Sequence, residues 1–142
     1  MNARRTLSAV AIGACGPVAL SVMGAAPAHA VAYTSNDCKI VADPPTYNSG
    51  TGVVEGRGLV ICTQTRALTI NAQLKKDFGA SGWVNVGTPG NSSPTASSAF
   101  SNYARQNCDF PGVANIKTVV TVTADGSAPA VDYGPTRSFS CD

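Results

Sequence analysis

The chain has 142 residues and a formal net charge of +2, and 44% of its residues are hydrophobic. This length suits a single domain that buries a core of its own. So small a net charge excludes a protein that works by neutralising phosphates, because nucleic-acid binding needs a pronounced basic excess.

Residues 1–30 have the three parts of a bacterial secretory signal peptide. Arg4 and Arg5 form the positive start, an apolar run extends from Leu7 to about Met23, and Ala28-His29-Ala30 is a small-x-small cleavage motif. We therefore expect cleavage after Ala30 and secretion of residues 31–142 into the extracellular space.

The alternative for this segment is a lipoprotein anchored at Cys15, because Ile12-Gly13-Ala14-Cys15 resembles a lipobox. The apolar run continues well beyond Cys15, which favours the cleaved signal. Cleavage would remove Arg4 and Arg5 from the ten basic residues and leave eight Lys and Arg against eight Asp and Glu. The mature chain is then neutral, and we expect neither nucleic acid nor, after cleavage, a membrane as its partner.

Two segments alternate apolar and polar residues with the period of two that is typical of half-buried strands. Between Arg66 and Lys76, one face carries Leu68, Ile70, Ala72 and Leu74. Between Val113 and Ala124, one face carries Ala114, Ile116, Thr118, Val120 and Val122. Both segments are predicted to be antiparallel strands with these faces turned inward.

Shorter strands are predicted at Cys38 to Ala42, Val53 to Cys62, Trp83 to Val86 and Ala130 to Cys141, the last with a bulge or an edge position at Pro135. Ala96 to Arg105 is open between a strand and a helical turn, and Thr88 to Ser98 is expected to form a loop. About seven short strands predict an all-β fold, an immunoglobulin-like antiparallel β-sandwich. A small closed barrel is the structural alternative.

Four cysteines follow the signal segment, and each of two pairs is centred on a turn signal. Cys38 and Cys62 are centred on Gly50, and Cys108 and Cys141 are centred beside Asp125-Gly126. Four cysteines allow three connectivities; the symmetry favours Cys38–Cys62 and Cys108–Cys141, each across a β-hairpin. The registers that follow place Ile40 opposite Val60 and Ala42 opposite Gly58, and, in the second hairpin, Phe110 opposite Phe139 and Ile116 opposite Tyr133.

The single histidine, His29, belongs to the predicted signal segment. The mature chain therefore has no imidazole for a nucleophilic triad or for a zinc site. Its one glutamate, Glu55, and its aspartates show no spacing that singles out a glycosidase pair or a calcium loop. We expect no catalytic residue, no metal and no cofactor, and hence no enzyme.

Two aromatic residues are the weak candidates for binding. Trp83, the only tryptophan, is either a stacking platform for sugars, assisted by Tyr47 or Tyr103, or a core residue filling the room left by Gly56 and Gly58. Tyr47 lies in the proline-stiffened segment Pro44 to Gly52, which has the character of a preorganised binding loop.

Three stretches carry a resemblance to a known group: Gly56-Arg57-Gly58-Leu59-Val60-Ile61-Cys62, Leu68 to Lys76, and Gly82-Trp83-Val84. With the Ala-rich signal, the chain resembles small secreted, disulfide-bridged β-proteins of actinobacteria. It also shares size, export and two bridges with actinobacterial subtilisin inhibitors and enediyne apoproteins. The resemblance implies a β-fold and assigns no site residue.

The function expected from the sequence is a secreted, non-catalytic binding or surface-interaction module whose partner is an extracellular protein or a cell-wall polymer. The alternative is an inhibitor of a secreted hydrolase that uses the segment 44–52.

Overall fold

The computed structural model describes residues 31–141, and the signal-peptide and Cys15 predictions lie outside that range. The described chain is all-β apart from one 3-10 turn at Gly79–Ser81. Its strands are β1 Ala32–Tyr33, β2 Lys39–Ala42, β3 Thr46–Asn48, β4 Val53–Gly56, β5 Gly58–Asp77, β6 Trp83–Ser92, β7 Thr95–Phe100, β8 Ala104–Asn107, β9 Val113–Ala124, β10 Ala130–Tyr133 and β11 Arg137–Ser140.

The sequence predicts about seven strands, whereas the structure has eleven, hydrogen-bonded in one open network. Two of the additional strands, β1 and β3, lie in segments without a predicted strand. The other two arise by division, because Ala96 to Arg105 is divided between β7 and β8, and Ala130 to Cys141 between β10 and β11. The segment expected as a loop at Thr88 to Ser98 belongs mostly to β6 and β7. Ala96 to Arg105 contains strand and no helical turn.

The twenty-residue strand β5 organises the network. Its first part pairs with β2 on one side and β7 on the other. Its second part pairs with β6 and β9. Two separate strands are predicted here, with Thr63-Gln64-Thr65 between them. Because these three residues include no glycine or proline and threonine favours strands, the chain continues as one strand without a turn.

The predicted inward faces of β5 and β9 form the centre of the core. Ile70, Leu74, Ile116, Val120 and Val122 are all completely buried. The network folds back over this core, because Gly56 on β4 lies directly against the side chains of Thr118 and Leu74, and Gly58 lies against Val120. Both predicted alternations are confirmed.

Both preferred disulfides are present. The first predicted register is confirmed, with Ile40 opposite Val60 and Ala42 opposite Gly58. The second is wrong: Phe139 lies opposite Ala114, and Arg137 lies opposite Ile116.

The second register shifts because the segment between Cys108 and Val113 stays outside the ladder, so the disulfide does not mark a pair of facing strand residues. Pairing is also interrupted at Gly134–Thr136, between β10 and β11, where three residues face two of β9. This is the bulge predicted from Pro135.

A buried carboxylate links β10 to the edge of β2. Asp132 is 6% exposed, and its Oδ2 accepts a hydrogen bond of 2.7 Å from the backbone N–H of Ala42. The contact satisfies a strand-edge donor that would otherwise be buried without a partner.

Candidate functional site

The strongest site lies where the first hairpin bends. The ladder of the first hairpin contains the pair Ala42–Gly58 and, beyond the bend, the pair Thr46–Glu55. Between them, Asp43 lies opposite Arg57, and its N–H donates to the Arg57 carbonyl at 3.0 Å. Pro44 and Pro45 then face Gly56 alone, which is a two-against-one β-bulge. Proline is tolerated at a bulge because no ladder hydrogen bond is needed there.

Arg57, which follows the bulge, lies against two aromatic rings. The Arg57 guanidinium carbon lies 4.1 Å from the centroid of the Phe100 ring and 5.1 Å from that of the Tyr103 ring. Its Nε donates to Asp43 Oδ2 at 3.4 Å. Stacking and this ion pair fix the planar cation in place, and Arg57 donates no other side-chain hydrogen bond to residues 31–141.

A second ion pair lies beside the first. Arg105 Nε donates to Glu55 Oε1 at 2.7 Å, and Asn48 Nδ2 donates to Glu55 Oε2 at 3.3 Å. The Arg105 hydrogen bond holds the pKa of the Glu55 carboxyl below its ordinary value, against a smaller opposing effect of burial. Glu55 therefore stays ionised at neutral pH.

These residues surround a depression of about 250 Å³, here called the Arg57 depression; its lining residues are Asp43, Pro44, Thr46, Glu55, Gly56, Arg57 and Tyr103. It holds two carboxylates, as a glycosidase site would. A general acid needs a raised pKa, whereas Glu55 has a lowered one and both carboxylates have arginine partners. The chemistry of the depression favours binding.

An apolar row extends from the depression along the outer face of the sheet. Val41 pairs with Leu59, which pairs with Phe100, and both Val41 and Leu59 alternate with the buried residues of their strands. Phe100 remains 48% exposed. Outward positions of an antiparallel sheet are ordinarily polar, so an apolar row beside a stacked arginine distinguishes this face.

The predicted binding residues occupy separate places. Tyr47 is half exposed on the edge strand β3, and Trp83 begins β6. Neither lines the Arg57 depression, although Tyr103 does. Trp83 does not fill the space at Gly56 and Gly58; it is partly exposed outside the core.

Sequence reasoning missed Arg57 and Phe100. Arg57 could have been found, because extending the confirmed register by one pair beyond Ala42 and Gly58 places it opposite Asp43. Phe100 had no comparable signal, since it reaches the site through the pairing of β7 with β5, which no turn or disulfide in the sequence marks.

Among the described residues, His, Cys, Asp and Glu form no group of three that could hold a metal ion. No helix within residues 31–141 is long and apolar enough to cross a membrane. Comparison of the chain with family models, curated proteins and solved structures finds no match.

Proposed function

We propose that the protein is a secreted, non-catalytic binding module that contacts an extracellular protein through the Arg57 depression and the adjoining apolar row. The observation that carries this proposal is the Arg57 guanidinium held against the rings of Phe100 and Tyr103. Arginine and tyrosine are enriched among the residues that dominate binding energy at protein interfaces.

The surroundings of Arg57 match the expected anatomy of such an interface. Apolar side chains from Val41, Leu59 and Phe100 supply area that a partner can remove from water. Arg57 supplies a fixed cation whose terminal NH2 groups suit a partner carboxylate. Because stacking already orders the Arg57 side chain, binding costs little additional side-chain entropy.

The wider proposal includes an immunoglobulin-like sandwich and an extracellular location. The contact of Gly56 and Gly58 with side chains of β5 and β9 supports two packed layers. The two disulfides support an oxidising compartment. Cleavage after Ala30 is part of the same proposal.

The test is retention of partners from culture supernatant and cell-wall extract by the immobilised, oxidised protein. We expect Arg57→Gln to lower the affinity for a retained partner protein by at least about tenfold, which is the effect typical of an arginine at the centre of an interface. Arg137→Gln, which removes an exposed arginine from β11, is the matched control. Equal retention of the same protein by Arg57→Gln would contradict the proposed surface.

Inhibition of a secreted hydrolase is a second candidate, favoured by the edge position of β3. This strand ends the hydrogen-bonded order and presents Tyr47, which is 50% exposed. An edge strand can pair with an extended segment of another protein. Lack of inhibition across a panel of secreted proteases and amylases would remove this candidate.

A further inference from the structure

A second surface lies on the outer face of β6, β5, β9 and β10. Cross-strand rows place Asn71 beside Thr121 and Val131, and Gln73 beside Val119 and Tyr133. With Lys75 and Asn85, these side chains line a shallow depression of about 260 Å³. We call this surface, together with Lys117 and Trp83 at its end, the lysine face.

Lys75 and Lys117 are directly opposite each other in the β5–β9 ladder. Like charges in facing positions destabilise a sheet. Neither lysine forms an ion pair with the residues that the structure describes. The carboxylate of Asp77, two residues from Lys75 on the same strand, instead accepts a hydrogen bond from the Gly79 N–H at 2.8 Å.

Two aromatic rings fix one of these charges. Lys117 Nζ lies 4.0 Å from the centroid of the Trp83 ring and 5.3 Å from that of Tyr133. Cation–π contacts of this kind hold an ammonium group without neutralising it. Trp83 is therefore a positioning residue for Lys117, whose ammonium group lies over its ring.

The rest of the face offers neutral hydrogen-bonding groups. The side-chain hydrogen bonds of Asn71 and Gln73 come from their amino groups. Asn71 donates to Asn91 Oδ1, and Gln73 donates to the carbonyls of Val86 and Leu74. Their carbonyl oxygens are the kind of acceptor that sugar hydroxyls use. Asn85 and Thr121 add further polar groups along the same depression.

From this juxtaposition we infer that the lysine face is a binding site for an acidic polysaccharide whose sugar rings carry carboxylates. Two uncompensated lysines match the carboxylates, and the surrounding amides and hydroxyls match the ring hydroxyls. The shallow, open shape suits a chain that passes across the sheet. The site is separate from the Arg57 depression, so it neither requires nor replaces the protein partner proposed there.

The experiment titrates the oxidised protein with a uronic-acid oligosaccharide and, separately, with a neutral β-glucan oligosaccharide of equal length. Calorimetry measures affinity, and the fluorescence of Trp83 provides a second signal because it is the only tryptophan. We expect binding of the acidic oligosaccharide alone, weakened by salt. Lys75→Gln and Lys117→Gln should each weaken it by about fivefold, which is the scale of one exposed charge interaction.

The matched control is Lys39→Gln on β2, which removes a lysine outside the lysine face and should leave the affinity unchanged. Arg57→Gln should also leave it unchanged, which separates this site from the proposed protein interface. Undetectable binding of the acidic oligosaccharide would overturn the inference, as would equal binding of the neutral one. Equal binding of inorganic polyphosphate would show that charge alone is recognised and would overturn the assignment to a polysaccharide.

Discussion

At Gly56 the absence of a side chain is required by the packing of the hairpin over the sheet. A Cβ atom at this position would overlap Thr118 Oγ1 and lie 2.8 Å from Leu74 Cδ2. Both neighbours belong to completely buried side chains, so they have little room to move away. The bend that presents Arg57 therefore depends on a glycine immediately before it.

Gly56→Ala is expected to lower the free energy of unfolding by about 1–3 kcal/mol, the usual cost of overpacking a core. Urea unfolding of the oxidised protein measures the change. Gly50→Ala is the control, because a Cβ there would meet only Asn48 Oδ1 at 3.4 Å. If the two variants were equally stable, the hairpin would be free to move off the sheet.

The glycines also show what the sequence leaves open at the level of single residues. Gly56 and Gly58 leave room for a neighbouring side chain, and one of the two interpretations of Trp83 places its ring there. Thr118, Leu74 and Val120 occupy the space instead. Which side chain fills such a space depends on how a hairpin crosses the core, and that relation joins residues far apart in the chain.

Among the elements, the turn between β9 and β10 is fixed by Asp125. Its backbone adopts φ 49°, its Oδ1 accepts from the Ala67 N–H at 2.8 Å, and its Oδ2 accepts from Arg66 Nη1 at 3.0 Å. The backbone hydrogen bond, followed by the Arg66 guanidinium, lowers the pKa of the Asp125 carboxyl. The turn is thereby attached to the middle of β5.

This lowered pKa predicts a pH dependence. The ionised Asp125 contributes stability above the pKa of an unfolded aspartate, about 3.9, and that contribution is lost as the pH falls through the lower folded pKa. The melting temperature of Asp125→Asn should therefore be lower than that of the native protein at pH 6. The difference between the two melting temperatures should shrink toward pH 2. Calorimetry at both pH values measures it, with Asp109→Asn as the control. A difference independent of pH would show that the carboxyl charge is not responsible.

Strand pairings that a nearby disulfide or turn marks are predictable from this sequence. Pairings between strands that no such feature connects are not. The register of β2 with β5 follows from the cysteine pair because the ladder runs from the disulfide to the Pro44 bulge without an insertion. The register of β9 with β11 does not follow, because an unpaired segment lies between Cys108 and the ladder. A disulfide fixes the positions of two cysteines, but the register of the strands beside it shifts with every unpaired residue inserted between a cysteine and the ladder.

At the scale of the whole molecule, β5 joins the two parts of the strand network. Leu59–Ile61 lies between β2 and β7, whereas Leu68–Leu74 pairs with β9 on one side and, from Ile70 onward, with β6 on the other. Opening either part would break pairing on both sides of the same continuous strand. The part of β5 beside the proposed protein interface and the part that contributes side chains to the lysine face should therefore belong to one cooperative unit.

Native-state hydrogen exchange tests this cooperativity, because amides in one unit exchange with one free energy of opening. Peptides covering Leu59–Ile61 and Leu68–Leu74 should exchange only with global unfolding and show matching free energies. Thr46–Asn48, on the edge strand β3, is the internal comparison and should exchange earlier through local opening. Clearly weaker protection of Leu59–Ile61 than of Leu68–Leu74 would mean that the two parts open independently. The Arg57 depression could then change shape without disturbing the lysine face.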